Sequence, residues 1–139
     1  MNKYLALKEK HQKEVNEFPM FFAFSQEQFE EGKAKLGVTD NTELVDIGYG
    51  GFIRESDKQA YIDMHKRMDA EQKEAMQDEE YCYWMFRYEL SNMEYIISQD
   101  LDNVLDACSL TADEVFSNPV LSKILEKARK DYLNSVNDC

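Results

Sequence analysis

The sequence predicts one α+β domain, in which a small, mostly antiparallel sheet packs against several amphipathic helices. Its 139 residues are close to the commonest domain size. A hydrophobic content of 43% with 12% aromatic residues suits a packed core rather than a disordered chain. Helical and strand-like apolar patterns follow one another without regular β-α-β alternation, which favours an antiparallel sheet. No linker or repeat marks a boundary, so residues 1–139 are expected to form a single domain.

Local start and stop signals predict the first elements. Apolar residues at steps of three or four predict a helix over residues 2–17, which Pro19 ends. The aromatic run at residues 20–24 predicts a buried strand. A second helix is expected between Ser25, which begins a capping box, and Gly37, which can end the helix in a left-handed conformation.

A hairpin and a long helix are expected next. Two extended runs within residues 43–54 flank the glycine-rich residues 48–51, which is typical of a hairpin. Ser56 begins a second capping box, and a helix is expected from there to about Gln77.

The aromatic residues that follow predict a second hairpin. Apolar side chains alternate along residues 80–90, and residues 93–98 supply a second extended run. In that arrangement Tyr81, Tyr83 and Met85 form the outer face of the hairpin, which is a candidate contact patch, although packing in the core or a second layer is the simpler interpretation.

The remainder is predicted to be helical. One short apolar stripe covers residues 101–108, and Thr111 begins another capping box. Asn118 and Pro119 give an N-cap followed by proline at the first helical position, so the last amphipathic helix is expected to start there.

The sequence favours a non-enzymatic protein without a cofactor. His11 and His65 have no ligand or catalytic spacing, and no nucleophile elbow, phosphate loop or dinucleotide motif is present. Cys82, Cys108 and Cys139 form no CxxC pair, which indicates neither a disulfide scaffold nor a zinc site. The charged N-terminal residues and the absence of a long apolar run predict a cytoplasmic protein that does not enter a membrane.

The formal charge of −12 is concentrated in one part of the chain, which we call the acidic segment (residues 69–114). This segment has 13 acidic residues against two basic ones. Such a charge works against direct binding to nucleic acid and can attract a basic protein, although a merely solvated surface is the simpler interpretation. The candidate partner surface consists of Asp69, Glu71, Glu74, Asp78, Glu79, Glu80, Asp100, Asp102 and Asp106.

An alternative hypothesis is a site for a small ligand or a metal. The glycine-rich turn brings backbone N–H groups within reach of a ligand, although a purely geometric turn is the simpler interpretation. The residues assigned to this site are Gly48, Gly50, Gly51, Arg54, Asn92, Glu94 and Tyr95, with Asp100 as a further oxygen ligand. A calcium-hand loop counted from Asp100 fails, because it places Leu105 at the glycine position and Thr111 at the glutamate position.

Several motifs resemble those of an uncharacterised family of small proteins from bacteriophages and mobile elements of gut Firmicutes and related bacteria. The resemblance rests on Phe22-Ala23-Phe24-Ser25, Gln28-Phe29, Glu31-Gly32, residues 50–57, residues 85–95, Leu105-Asp106-Ala107, Leu110-Thr111 and Asp113-Glu114-Val115. Members of that family carry a histidine where this chain has Met93, which speaks against a shared histidine chemistry. The resemblance implies a phage or mobile-element setting and no established activity.

Together these observations predict an accessory protein that binds another macromolecule. Its acidic segment would engage a basic host protein, as an acidic inhibitor does. The sequence does not determine the oligomeric state.

Overall fold

A computed structural model describes residues 2–137, and Cys139 lies outside them. The described chain divides into two compact units, one made of residues 11–70 and the other of residues 2–10 with residues 71–137. We call them the first and the second unit. Antiparallel strands and helices together confirm the α+β class. The single domain expected from the sequence stays a prediction.

The first unit contains a three-stranded antiparallel sheet. Its strands are β1 (Phe21–Phe22), β2 (Leu44–Gly48) and β3 (Gly51–Arg54), in the order β1-β3-β2. The first predicted hairpin is therefore confirmed, and β1 confirms the centre of the predicted aromatic strand. The predicted burial of that strand is wrong for Phe22 and Phe24, which are exposed, and holds for Phe21. Helix α1 (Lys3–Glu17) precedes the sheet and α3 (Lys58–Ala75) follows it, each running from one unit into the other.

Helix α2 (Gln26–Leu36) begins and ends at the predicted residues. Ser25 Oγ accepts a hydrogen bond from the Gln28 N–H, and Gly37 adopts a φ of 71°. The Gln28 side chain accepts from the Phe24 N–H, one residue before the position expected for a capping box. These two bonds connect the start of α2 to the end of the aromatic strand.

An aromatic cluster joins α2 to the sheet. The ring of Phe21 stacks on Phe52 at 5.4 Å, and both rings meet Phe29 of α2 edge to face. Gly32 makes this approach possible, because a Cβ atom at that position would lie 2.1 Å from the Phe21 ring.

The second unit is a helical assembly around α4 (Glu79–Asn92). Its other helices are α5 (Tyr95–Ser98), α6 (Leu101–Ala107), α7 (Ala112–Phe116) and α8 (Pro119–Asn137). Helix α4 packs along α8 and against α6, and α7 packs on α8. The core comprises Tyr4, Tyr81, Cys82, Met85, Phe86, Leu90, Val104, Leu105, Cys108, Leu110, Val115, Leu125, Ala128 and Tyr132.

The predicted second hairpin is wrong, because residues 80–98 form α4 and α5. The buried residues of α4 come in pairs spaced four apart, which is a helical period and not an alternating one. Tyr81 and Met85 are buried, so the predicted outer contact patch is also wrong. Packing against α8 and α6 overrides the strand preference of the aromatic side chains.

The starts of α7 and α8 follow the sequence signals, whereas α3 begins at Lys58, after a 3₁₀ turn (Glu55–Asp57) that contains the predicted N-cap residue Ser56. Thr111 and Glu114 form a complete capping box at α7. The Asn118 side chain accepts hydrogen bonds from the N–H groups of Val120 and Leu121, and Pro119 occupies the first position of α8, as predicted.

Candidate functional site

Many carboxylates of the acidic segment lie at helix starts. Asp78 accepts a hydrogen bond from the Glu80 N–H and caps α4, while Asp100 accepts from the Asn103 N–H and caps α6. Further acidic residues occupy the first turns of α4, α6 and α7, namely Glu79, Glu80, Asp102, Asp113 and Glu114. Negative charge is favourable at these positions because it opposes the helix dipole. Part of the acidity therefore has a structural explanation.

Acidic residues at the start of the segment line a concave surface of the second unit, which we call the acidic groove. The groove has a volume of about 620 Å³. Leu7, Ala75 and Tyr81 supply apolar surface, Glu71, Glu74 and Asp78 supply negative charge, and Lys3 and Gln77 complete the lining. Glu80 lies at its border, because it shares Lys3 with Asp78.

The two lysines near the acidic groove neutralise part of its charge. Lys3 Nζ lies 2.6 Å from Asp78 Oδ2 and 3.3 Å from Glu80 Oε2, and Lys10 Nζ lies 3.4 Å from Glu71 Oε2. The hydrogen bond from Lys3 lowers the pKa of Asp78. In return, the hydrogen bonds to Asp78 and Glu80 raise the pKa of Lys3. Among residues 2–137, no cation pairs with Glu74. The acidic groove therefore keeps a negative charge that an external cation can meet.

The other acidic residues of the predicted partner surface do not line the acidic groove. Asp69 is exposed and belongs to the first unit, two positions before Glu71 on the same helix. Asp102 and Asp106 are exposed on α6. The partner surface predicted from the sequence stays a prediction, and the groove is its best-formed part.

Glu89 is a buried carboxylate that the sequence analysis did not select. It is 2% exposed, and both of its oxygens accept hydrogen bonds. The Tyr4 hydroxyl donates at 2.7 Å and the Asn92 side chain donates at 3.0 Å. Burial and the bond to Glu89 raise the pKa of Tyr4. The signal that could have revealed Glu89 is its position in the helical stripe of α4, seven residues after Cys82 and four after Met85.

The predicted ligand residues of the first unit lie at two ends of the hairpin. Gly48 pairs with Gly51 beside the turn, whereas Arg54 pairs with Leu44 at the open end. The Arg54 guanidinium donates to Asp57 at 2.7 Å and to the carbonyl of Leu36 at 3.4 Å. Arg54 thus lines a separate groove of about 480 Å³ with residues 36–38 and 42–43.

The predicted ligand residues of the second unit belong to the end of α4. Asn92 bonds to Glu89, Glu94 adopts a φ of 51° just before α5, and the Tyr95 ring packs edge to face on Tyr132. Because the glycines and Arg54 belong to the other unit, a combined ligand site stays a prediction.

Histidine, cysteine and carboxylate chemistry has little support in the described residues. The His65 ring packs against Tyr61, and its Nε2 atom is buried without a hydrogen-bond partner. Burial raises the pKa of the Cys82 thiol to about 11 and raises the pKa of Cys108 further. Such thiols are poor nucleophiles near neutral pH. Within residues 2–137, no group of three or more potential ligand side chains could hold a metal ion.

None of the helices in residues 2–137 combines the length and apolar character needed to cross a bilayer. No curated protein and no solved structure matches the chain. Residues 3–131 match the sequence pattern of a family described as "Family of unknown function (DUF7659)". That match covers almost the whole chain, including the elements that form the acidic groove. The chain therefore belongs to the DUF7659 family, whose function is unknown.

Proposed function

We propose that this protein is a non-enzymatic accessory protein of a phage or mobile element that acts in the cytoplasm by binding a basic host protein. The observation that carries the proposal is the acidic groove, where apolar surface lies beside carboxylates that the protein's own lysines only partly neutralise. The phage or mobile-element setting rests on the motif resemblance. A gene neighbourhood of phage or defence genes would support that setting, and a housekeeping operon would contradict it.

The acidic groove has the chemistry that a lysine or arginine side chain requires. Such a side chain buries its aliphatic stem on apolar surface while its charged head stays near carboxylates. Leu7 and Ala75, which are partly exposed, offer the apolar surface, and Glu74 offers a carboxylate without a cation of its own. A basic segment of a partner can therefore gain both apolar and electrostatic contacts in this groove.

The charge of the surrounding chain supports the same partner. The acidic segment carries a net charge of −11, so its field would steer a basic protein toward the groove. The same field opposes the approach of nucleic acid. A DNA- or RNA-binding protein, whose basic surface normally contacts phosphate, has the complementary charge.

The test is a pull-down from a bacterial lysate with the tagged protein at low and high salt. The double variant Glu71→Gln/Glu74→Gln removes charge from the groove, while Glu27→Gln/Glu31→Gln makes the same change on the exposed side of α2. We expect a basic protein that is released between about 50 and 500 mM salt, because these concentrations span the range in which screening becomes strong.

The two double variants decide whether the groove is responsible. The groove variant should lose at least about tenfold in affinity for a purified partner, as expected when central charged contacts are removed. The α2 variant should bind like the wild type. Binding that resists salt, or that both variants weaken equally, would contradict the proposal.

A further inference from the structure

Three exposed aromatic side chains gather at the turn of the β2–β3 hairpin, and we call them the aromatic patch. Phe22 is 53% exposed, Phe24 is 78% exposed and Tyr49 is 96% exposed. Phe22 ends the edge strand β1 and pairs with Gly51, and Phe24 follows two residues later, with its ring beside Gly50. Tyr49 lies in the turn between Gly48 and Gly50.

The hairpin backbone supports the two phenylalanine rings directly. A Cβ atom on Gly50 would lie 2.6 Å from the Phe24 ring, and one on Gly51 would lie 2.9 Å from the Phe22 ring. The Ala23 N–H donates to the Gly50 carbonyl at 2.9 Å, which keeps the segment beside the hairpin. The rings are therefore held in place while most of their surface faces water.

Tyr49 occupies a conformation that tyrosine rarely adopts. Its φ is 54°, and those of Gly48 and Gly50 are 90° and 80°. The two-residue turn Tyr49-Gly50 needs positive φ at both positions, for which asparagine, aspartate or glycine is the usual first residue. A tyrosine that is 96% exposed at this position gains no burial within the chain to offset its strain.

The segments that carry the aromatic patch contain no charged side chain. Residues 18–24 and 47–52 contain no Asp, Glu, Lys or Arg, although 32% of the whole chain is charged. The carboxylate of Asp46, which accepts a hydrogen bond from the Gly48 N–H, lies next to the turn. Two molecules that each carry −12 repel one another wherever their charged surfaces meet. The patch is therefore a surface on which two copies can meet with less repulsion, whereas a basic partner gains fewer ion pairs there than at the acidic groove.

The size of the patch indicates a weak association. At roughly 150–250 Å² for each aromatic side chain, the exposed fractions amount to about 350–550 Å² per molecule and about 700–1,100 Å² for a pair. Interfaces near 1,000 Å² lie at the lower limit of specific complexes. A reversible dimer is expected at this area.

We infer that two copies of this chain associate through the aromatic patch as a weak two-fold dimer, in which Phe22, Phe24 and Tyr49 of one copy pack against the same residues of the other. A two-fold interface uses the same surface on both molecules, so one apolar patch supplies both halves of the contact. Strand β1 has only two residues, and so short an edge strand offers little backbone for pairing between copies.

Sedimentation equilibrium of the full chain tests this inference. Over protein concentrations from about 10 μM to about 1 mM, the average mass should rise from one chain toward two. Phe24→Ser and Tyr49→Asn should each raise the dissociation constant by about tenfold or more. Tyr49→Asn suits the positive φ of the turn, so it tests the contact without endangering the fold.

The matched control is Phe116→Ser, which removes an aromatic side chain that is 58% exposed in the other unit. It should leave the dissociation constant unchanged. Added salt should strengthen the dimer, because screening reduces the repulsion between two acidic chains. A chain that stays monomeric at 1 mM, a dimer that Phe116→Ser weakens equally, or a dimer that salt dissociates would each overturn the inference.

Discussion

Removing the Tyr4 hydroxyl should destabilise the second unit, because this hydroxyl makes a buried hydrogen bond. Tyr4 is 5% exposed, and its hydroxyl donates at 2.7 Å to Glu89, which is itself 2% exposed. In Tyr4→Phe, one carboxylate oxygen loses its donor in a buried position where water cannot easily replace it. Leaving a buried hydrogen-bonding atom without its partner costs about 1–3 kcal/mol, so we expect the free energy of unfolding to fall by about 2 kcal/mol.

A double-mutant cycle with Glu89→Leu separates this bond from general packing. Glu89→Leu alone leaves the buried Tyr4 hydroxyl without an acceptor, which costs about 1–3 kcal/mol. When both residues are apolar, neither site keeps an unsatisfied polar group. The double variant should therefore lose much less free energy of unfolding than the sum of the losses in the two single variants. The expected coupling is about 1.5–3 kcal/mol, in the range measured for residues that share a hydrogen bond.

Urea unfolding provides the measurement. Trp84, the one tryptophan of the sequence, lies on α4 with Glu89, so its fluorescence reports on the unit that contains the bond. Gln12→Ala, on the exposed side of α1, is a control for changes in that helix and should shift the midpoint little. If the losses from Tyr4→Phe and Glu89→Leu simply add, the hydrogen bond does not couple the two residues and the reasoning is refuted.

Three other changes test separate parts of the structure. Gly32→Ala should lower the free energy of unfolding by about 2 kcal/mol, because the new methyl group overlaps Phe21, whereas Glu31→Ala next to it should have little effect when urea unfolding is followed by circular dichroism. Tyr49→Asn should raise thermal stability by about 1 kcal/mol by relieving the positive φ, and a lower melting temperature would contradict the strain. The pKa of Cys82 is raised from 9.0 to about 11 in the folded protein, so its contribution to stability is complete below pH 9 and is lost as the pH rises through about 11. Urea midpoints should therefore fall with pH over this range, and less steeply in Cys82→Ala.

The elements that the sequence predicted are those fixed by local chemistry. Ser25 and Gly37 bound α2, and Asn118 with Pro119 starts α8, because each forms its bonds within a few residues. Such signals do not depend on where the rest of the chain lies. The hairpin at residues 44–54 belongs to the same class, since its turn needs only positive φ at two positions.

Helix α4 was missed because its sequence fits two periods. Its apolar residues occupy almost every position from 81 to 88, so alternate spacing and helical spacing describe them equally well. The deciding information is tertiary, since α8 and α6 cover its two apolar sides. The start signal was nevertheless present: Asp78, followed by Glu79 and Glu80, is a cap with acidic first-turn residues.

The same error concealed the candidate site. On a strand, Glu89 would share the outer face with Tyr83 and Met85 and would reach solvent, whereas on a helix it shares a stripe with Cys82 and Met85 and is buried. The acidic groove likewise depends on tertiary structure, because it needs the start of α1, the end of α3 and the start of α4 close together. Counting charges along the chain identifies an acidic segment but cannot separate helix caps from carboxylates that a partner can reach.

The two proposed surfaces bind by different forces, so added salt should change binding at each of them in a different way. In the acidic groove, Glu74 and its neighbours attract a cation, and screening weakens that attraction. At the aromatic patch no charges attract, and the net charge of −12 on each molecule opposes contact, so screening strengthens it. Partner release and self-association should therefore respond to added salt in opposite directions.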